Sequence, residues 1–191
     1  MSFLLNAVIF SVTLVLVLRL FRRDGRWSLH HALHAMRYFT VQSNLFCALA
    51  ALCMCLAPEA AWAWWLKYVG TAAVSVTMLT VLLFLGPSMG SYKPLLSGGD
   101  LFMHLLTPVM AIVSFCVFER RALVFPGALA GMLPVVAYGI YYAYKLFAAP
   151  EGRRWEDFYG FNKGGHWRIS MCAMFLGAFL VCLFFTAVQG A

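Results

Sequence analysis

The sequence has few charged residues for its length. Only 11% of its 191 residues are Asp, Glu, Lys or Arg, whereas a soluble domain carries about a quarter. Acidic residues are the scarcest, with seven against fourteen basic ones. Apolar residues instead make up 63% of the chain. This shortage of charge excludes an ordinary water-soluble domain and indicates that lipid is the solvent for most of the protein.

Charge is absent altogether from six long segments of the chain. Each is long enough to cross a bilayer as a helix, which takes about 20 residues. None has the alternation of apolar and polar residues that is typical of membrane β-strands. We therefore predict an all-α polytopic membrane protein with six transmembrane helices in a single domain, residues 1–191. The predicted spans cover residues 2–20, 38–57, 67–86, 101–118, 122–145 and 169–189.

The basic residues are unevenly divided between the two sides of the predicted membrane. Loops one, three and five, with the adjoining helix ends, hold eleven of the fourteen Lys and Arg residues. The positive-inside rule then predicts that the odd loops are cytoplasmic and that both termini lie outside. A cationic rim of this kind suits anionic lipid headgroups, and no motif indicates nucleic-acid binding. The six cysteines are interpreted as apolar packing residues, and we predict no metal site.

Polar side chains are concentrated at the start of helices two and four. Helix two opens with Arg37-Tyr38-Phe39-Thr40-Val41-Gln42-Ser43-Asn44, and helix four with Gly98-Gly99-Asp100-Leu101-Phe102-Met103-His104. The spacing places Thr40, Ser43 and Asn44 on one face of helix two, and Asp100 and His104 on one face of helix four. At 1.5 Å per residue, Thr40 and His104 lie about 4.5 and 6 Å below the same membrane surface.

A hydroxyl and an imidazole at matched depth suggest a nucleophile and its base. A threonine hydroxyl is a weak nucleophile until a neighbour removes its proton, so we predict that Thr40 attacks and that His104 takes the proton. Asp100 either orients His104 or caps helix four. Asn44, and less strongly Ser43 or Gln42, either donate to a developing oxyanion or form hydrogen bonds between helices. Pro108 removes the helical partner of the His104 carbonyl and predicts a kink there.

Four further residues are candidates for substrate binding. Arg37 and Lys93 belong to the cationic rim and can hold a carboxylate or an anionic headgroup. Tyr138 and Tyr142 either border a substrate pocket or belong to the aromatic belt at the membrane interface. Loop five, residues 148–167, either folds over the mouth of the bundle as a lid or lines the interface with its aromatic residues.

These motifs resemble a known family of membrane proteins. The Tyr38–Asn44 motif, together with Asp100–His104 and Pro108, is similar to the bacterial branch of the androgen-induced gene product and ADTRP family, and the resemblance extends over all six spans. Pro134–Tyr138 and Asp157–Phe161 are weaker points of similarity. The resemblance implies an intramembrane threonine hydrolase without a cofactor, acting on fatty acid esters of hydroxy fatty acids or related lipid esters. Thr40 and His104 occupy the matching catalytic positions, and the resemblance implies a bacterial inner membrane.

Functions of other classes are also compatible with six apolar helices. A transporter or channel would use the polar helix faces and the proline breaks, although no internal repeat and no acidic residue deep in a span are evident. A haem-binding electron carrier needs paired histidines on facing helices, but only His104 lies within a span. A non-catalytic structural membrane protein predicts that Thr40 is chemically inert.

Overall fold

The structure, a computed structural model, describes residues 1–23 and 26–190. Six helices are long and apolar enough to cross a membrane, which confirms the all-α, six-span prediction. In chain order they are α1 (Ser2–Leu20), α2 (Phe39–Leu56), α3 (Ala61–Met89), α4 (Gly98–Phe118), α5 (Phe125–Ala148) and α6 (Trp167–Gly190). Consecutive helices alternate in direction. Among the described residues, the odd-loop face therefore carries 21–23, 26–38, 90–97 and 149–166, and the terminal face carries residues 1 and 190.

The third helix begins earlier than the sequence predicts. The predicted span starts at Lys67 because a charged residue typically marks the membrane boundary. In the structure α3 starts at Ala61, and Lys67 is fully buried inside the bundle. The difference arises because the Lys67 side chain has polar partners on neighbouring helices, so that its charge does not have to lie in water.

Four π-helical turns interrupt the spans, at Val81–Leu85, Phe102–Leu106, Ser114–Phe118 and Tyr144–Ala148. The turn at Phe102–Leu106 contains His104 and directly precedes Pro108. The N–H of Thr107 donates to the Phe102 carbonyl, five residues back, instead of four. A wider turn next to proline is expected because proline cannot supply the normal helical hydrogen bond. In α5, residues Leu129–Met132 form a 3-10 turn before Pro134.

Helix α3 is the central element of the bundle. It packs against α2, α4, α5 and α6, and it reaches α1 through a hydrogen bond from Lys67 to Asn6. Its aromatic residues Trp64 and Tyr68 pack with Phe115 of α4 and Phe185 of α6 in one buried cluster. A smaller apolar cluster forms where the first four helices meet, and it comprises Ile9, Cys47, Ala51, Val74 and Ala111.

The loops of the odd-loop face contain the remaining regular elements. Two short antiparallel strands, β1 (Arg22–Arg23) and β2 (Arg26–Trp27), follow α1. A helix at Leu29–Ala35 comes next, and the Ser28 hydroxyl caps it by accepting from the His31 N–H at 3.3 Å. Loop five contains a 3-10 turn at Lys163–Gly165. These elements surround the end of the bundle at which helices α2 and α4 begin.

Candidate active site

Helices α2 and α4, which begin with the predicted site motifs, are in contact. The Asn44 Nδ2 group donates to the Met103 carbonyl at 2.9 Å and to the Thr40 carbonyl at 2.8 Å. These two carbonyl oxygens share one donor, so they lie within about 6 Å of each other. Thr40 and His104 are therefore on adjacent helices, and each belongs to the segment that Asn44 bridges.

Thr40 lies in the first turn of α2 and is half-buried. Its side chain lines a small cavity between α2, α3, α5 and loop five. The other polar residues that line this cavity are Thr77, Thr80, Tyr138 and Tyr159. The cavity volume is about 20 Å³, which is roughly the space that one water molecule needs. The cavity thus places hydroxyl groups and room for about one water beside Thr40, and His104 is not among the residues that line it.

Two larger grooves adjoin this cavity at the helix surfaces. One, of about 390 Å³, runs between α2 and α5 and shares Phe39 and Tyr138 with the cavity wall. The other, of about 310 Å³, runs between α3 and α6 and shares Phe161 and Met174. Both are lined mainly by apolar side chains, as is suitable for acyl chains. Lateral entry between helices would bring a lipid close to Thr40.

His104 is buried, and a hydrogen bond fixes its ring. The Nδ1 atom lies 2.7 Å from the Leu95 carbonyl oxygen. A carbonyl can only accept, so Nδ1 carries the proton and, in the neutral ring, Nε2 has the free lone pair. This is the tautomer that a general base requires, with Nε2 as the accepting atom.

Asp100 does not orient His104, contrary to one of the expectations for it. The Leu95 carbonyl occupies the position beside His104 Nδ1 that was expected for the Asp100 carboxylate. Asp100 is exposed in the first turn of α4, and its N–H donates to the carbonyl of Ser97, which is the N-cap residue. It is therefore not the capping residue either. A carboxylate in a first turn still interacts favourably with the helix dipole.

The amide and hydroxyl expected to bind an oxyanion are engaged elsewhere. Both contacts of Asn44 Nδ2 are with backbone carbonyls, and Ser43 Oγ lies 2.8 Å from Thr77 Oγ1 and 3.2 Å from the Thr40 carbonyl. Gln42 donates to the Met36 carbonyl. These contacts match the other expectation for these residues, hydrogen bonding that holds the helices together. Among the described residues, the Asn44 Oδ1 atom is buried without a hydrogen-bond partner.

The predicted substrate-binding residues are found on different sides of the site. Tyr138 lines the Thr40 cavity and the α2–α5 groove, and its hydroxyl donates to the Arg37 carbonyl at 2.7 Å. The Arg37 guanidinium lies 5.8 Å from the centre of the Trp155 ring. The Lys145 Nζ atom lies 5.6 Å from the centre of the same ring. Lys145 was not among the residues predicted from the sequence to bind substrate. Lys93 is exposed in the loop before α4, two residues from the Leu95 partner of His104.

Loop five folds back over the odd-loop end of the bundle. The Asp157 carboxylate accepts from the Tyr142 hydroxyl at 2.9 Å and from the N–H groups of Phe161 and Asn162. Gly160 has a φ of +69°, which favours glycine, and it completes the turn. Tyr142 is 1% exposed and does not line the Thr40 cavity, so it anchors the loop instead of bordering the substrate pocket.

Tyr159 of loop five is a site residue that sequence reasoning missed. Its hydroxyl oxygen accepts from the Phe39 N–H at 2.9 Å, at the start of α2, and the residue lines the Thr40 cavity. Burial raises the pKa of Tyr159 to about 12, although the hydrogen bond that its oxygen accepts from the Phe39 N–H opposes this shift. The phenol therefore keeps its proton at neutral pH. Only its place in the Asp157–Phe161 segment marked it in the sequence.

A second buried polar cluster lies near the terminal face, and its members are Ser2, Asn6, Lys67, Ser114 and Glu119. Glu119 Oε1 accepts from Ser2, Asn6 and Ser114, and Lys67 donates to Asn6 Oδ1. The Lys67 Nζ and Glu119 Oε2 atoms are 3.9 Å apart. The predicted spans put Lys67 at the start of one span and Glu119 directly after the end of another, and nothing in the sequence indicates that the two residues meet.

Comparisons with known proteins identify no relative of this chain. No protein-family model, no curated protein and no solved structure matches the chain. The chemical interpretation of the site therefore depends on its own residues and on the motif resemblance described above.

Proposed function

We propose that this protein is an intramembrane hydrolase of lipid esters, with Thr40 as the nucleophile and His104 as its general base. The observation that carries the proposal is the Asn44 bridge, which joins the Thr40 carbonyl to Met103, the residue before His104. Matched depth in the sequence motifs and contact between α2 and α4 together favour a nucleophile–base pair. The motif resemblance adds the expectation of a threonine hydrolase.

In this proposal a lipid ester enters between the helices until its carbonyl reaches Thr40. His104 Nε2 takes the hydroxyl proton as Thr40 Oγ1 attacks the carbonyl carbon, and the alcohol leaves with that proton. Water then attacks the acyl-threonine, again with His104 as base, and releases the acid and free Thr40. The free lone pair on Nε2 and the apolar grooves beside the cavity support this sequence. Fatty acid esters of hydroxy fatty acids are the first substrates to test.

The proposal is tested by labelling the nucleophile. The detergent-purified full chain is treated with a fluorophosphonate probe, and the adduct is located by mass spectrometry. We expect one adduct, on Thr40, that disappears in Thr40→Ala and falls sharply in His104→Ala. Thr186→Ala is the matched control, because that hydroxyl donates to the Cys182 carbonyl on α6, away from the site. A folded protein that is unlabelled, or labelled elsewhere, contradicts the proposal.

The Lys67–Glu119 pair favours a second candidate function, transport. Ionisable residues buried between membrane helices often mark an ion or substrate path. The test is flux of protons or lipid across proteoliposomes, with Glu119→Gln as the variant. Flux that depends on Glu119, together with an unlabelled Thr40, would replace the hydrolase by a transporter.

A further inference from the structure

Ester hydrolysis at Thr40 needs a donor for the charge that develops on the carbonyl oxygen. Such donors commonly supply about a hundred-fold to a thousand-fold in kcat. The two residues expected in this role, Asn44 and Ser43, already bond to backbone carbonyls and to Thr77. Another donor near Thr40 is therefore required. The following inference rests on the proposed hydrolase function.

Tyr159 is in the right place for this role. It lines the same cavity as Thr40, and its oxygen accepts from the Phe39 N–H, the residue next to Thr40 in the first turn of α2. The phenol group is therefore held within one residue of the nucleophile along the chain.

The proton of Tyr159 is available to a group in the cavity. Its oxygen uses lone pairs to accept from the backbone, so the O–H bond points away from those amides. The neighbouring Tyr138 hydroxyl already donates to the Arg37 carbonyl at 2.7 Å. Accepting hydrogen bonds also polarises the phenol and makes it a stronger donor. These contacts leave Tyr159 as a neutral, polarised donor in the wall of the cavity beside Thr40.

We propose that Tyr159 is a catalytic residue that stabilises the oxyanion and that loop five brings to the Thr40 site. When Thr40 Oγ1 bonds to the ester carbon, the C=O electron pair moves to the carbonyl oxygen, and the Tyr159 O–H donates a hydrogen bond to that oxygen. The proton stays on Tyr159. When the intermediate collapses, the electron pair returns, the bond to the alcohol breaks, and the hydrogen bond weakens. Loop five is thus part of the active site.

The test compares Tyr159 of loop five with Tyr142 of α5 in the full-length protein. Tyr159→Phe removes the hydroxyl and keeps the ring. Tyr142→Phe is the control for the placement of loop five, because its hydroxyl donates to Asp157 and accepts from the Tyr159 N–H but does not line the cavity. The measurements are kcat and KM for a lipid ester, and the affinity for a trifluoromethyl ketone, whose adduct carries an oxyanion. Each variant loses one hydroxyl that makes a structural hydrogen bond. The Tyr159 hydroxyl bonds to the start of α2, and the Tyr142 hydroxyl bonds to loop five.

We expect Tyr159→Phe to lower kcat by about a hundred-fold or more while KM changes little. The ketone affinity should fall in parallel, because only the oxyanion-bearing state loses the bond. Tyr142→Phe should keep kcat within a few-fold. If Tyr159→Phe loses no more kcat than Tyr142→Phe while Thr40→Ala is inactive, the Tyr159 assignment is wrong and the hydrolase stands. If Thr40→Ala keeps full activity, or the wild type hydrolyses no ester, both proposals are wrong.

A second substitution separates catalysis from folding. Difluorotyrosine at position 159 keeps the hydroxyl and the ring but lowers the phenol pKa. If the phenol must stay protonated, the variant enzyme loses activity at a lower pH than the wild type. The alkaline limb of its pH–rate profile therefore shifts to lower pH. An unmoved profile in a folded, active variant would assign Tyr159 to helix capping alone.

Discussion

The two halves of the bundle bury polar side chains in different ways. Near the terminal face, Glu119 and Lys67 share the partner Asn6, and the groups mostly satisfy one another. Near the odd-loop face, Asn44 bonds only to the backbone, and Thr40 faces a cavity. Side chains that pair with each other stabilise a fold, whereas those left facing a space are available for chemistry. The terminal-face cluster therefore contributes to stability, and the Thr40 site is the one for which we propose a reaction.

The wider turn around His104 belongs to the same contrast. The π-helical segment Phe102–Leu106 lies in the odd-loop half, where loop five also covers the site. Such turns recur at functional sites because they shift side chains out of regular helical register. Ser114–Phe118 is a π-helical turn in the other half. A π-helical turn alone therefore does not identify the active half.

The largest expected effect is on catalysis. Thr40→Ala should lower ester hydrolysis at least about 1,000-fold, because removing a nucleophile removes the covalent route. Glu119→Gln, in the other half, should change kcat by less than a few-fold. Initial rates on a lipid ester, with protein folding checked by size-exclusion chromatography, measure both. Equal losses of kcat in the two variants would contradict the assignment of catalysis to the odd-loop half.

The largest expected effect on stability is in the terminal half. Lys67→Met leaves the buried Glu119 carboxylate without its cation, which costs about 3–5 kcal/mol. The double variant Lys67→Met/Glu119→Gln should recover most of this loss. Reversible denaturation in mixed micelles measures the free energy of unfolding.

An ion pair on the same face provides the control for this measurement. Glu59 is fully exposed and lies 4.0 Å from Arg121, so Glu59→Gln should leave the free energy of unfolding unchanged. A Lys67→Met variant as stable as Glu59→Gln would show that the buried pair contributes little.

Asn44→Ala tests the link between helices α2 and α4. It removes the donor shared by the Thr40 and Met103 carbonyls. We expect a loss of about 1–3 kcal/mol in unfolding free energy, because the Met103 carbonyl is left without this bond. The fluorophosphonate label on Thr40 should also weaken as the two helices separate. Full labelling at unchanged stability would contradict the role of Asn44 as the bridge.

The smallest expected effect is on the anchoring of loop five. Tyr142→Phe removes the hydroxyl that donates to Asp157 and costs about 1 kcal/mol. The loop should then open more often, and trypsin should cut faster at Arg153, Arg154 or Lys163. Limited proteolysis measures the rate, and cleavage after the exposed Arg26 in loop one provides the reference. An unchanged ratio would mean that Asp157 holds the loop through its backbone contacts alone.

Part of the candidate site was predictable because it depends on positions along one helix. Helical periodicity alone placed Thr40, Ser43 and Asn44 on a single face. The partners of those groups were not predictable, since Leu95 reaches His104, and Tyr159 reaches Phe39, from segments that fold back across space. Asp100 shares a helical face with His104, yet the Leu95 carbonyl takes the position by Nδ1.

The number, type and approximate position of the spanning helices were determined by the sequence by itself, because long uncharged runs leave the chain no other stable arrangement in lipid. Only the tertiary structure decided that Lys67 lies inside the bundle, that α2 meets α4 at Asn44, and that Tyr159 reaches the first turn of α2. Hydropathy reports the environment of each residue separately. A buried charge or a catalytic hydroxyl instead depends on which distant groups surround it, and packing alone brings those groups together.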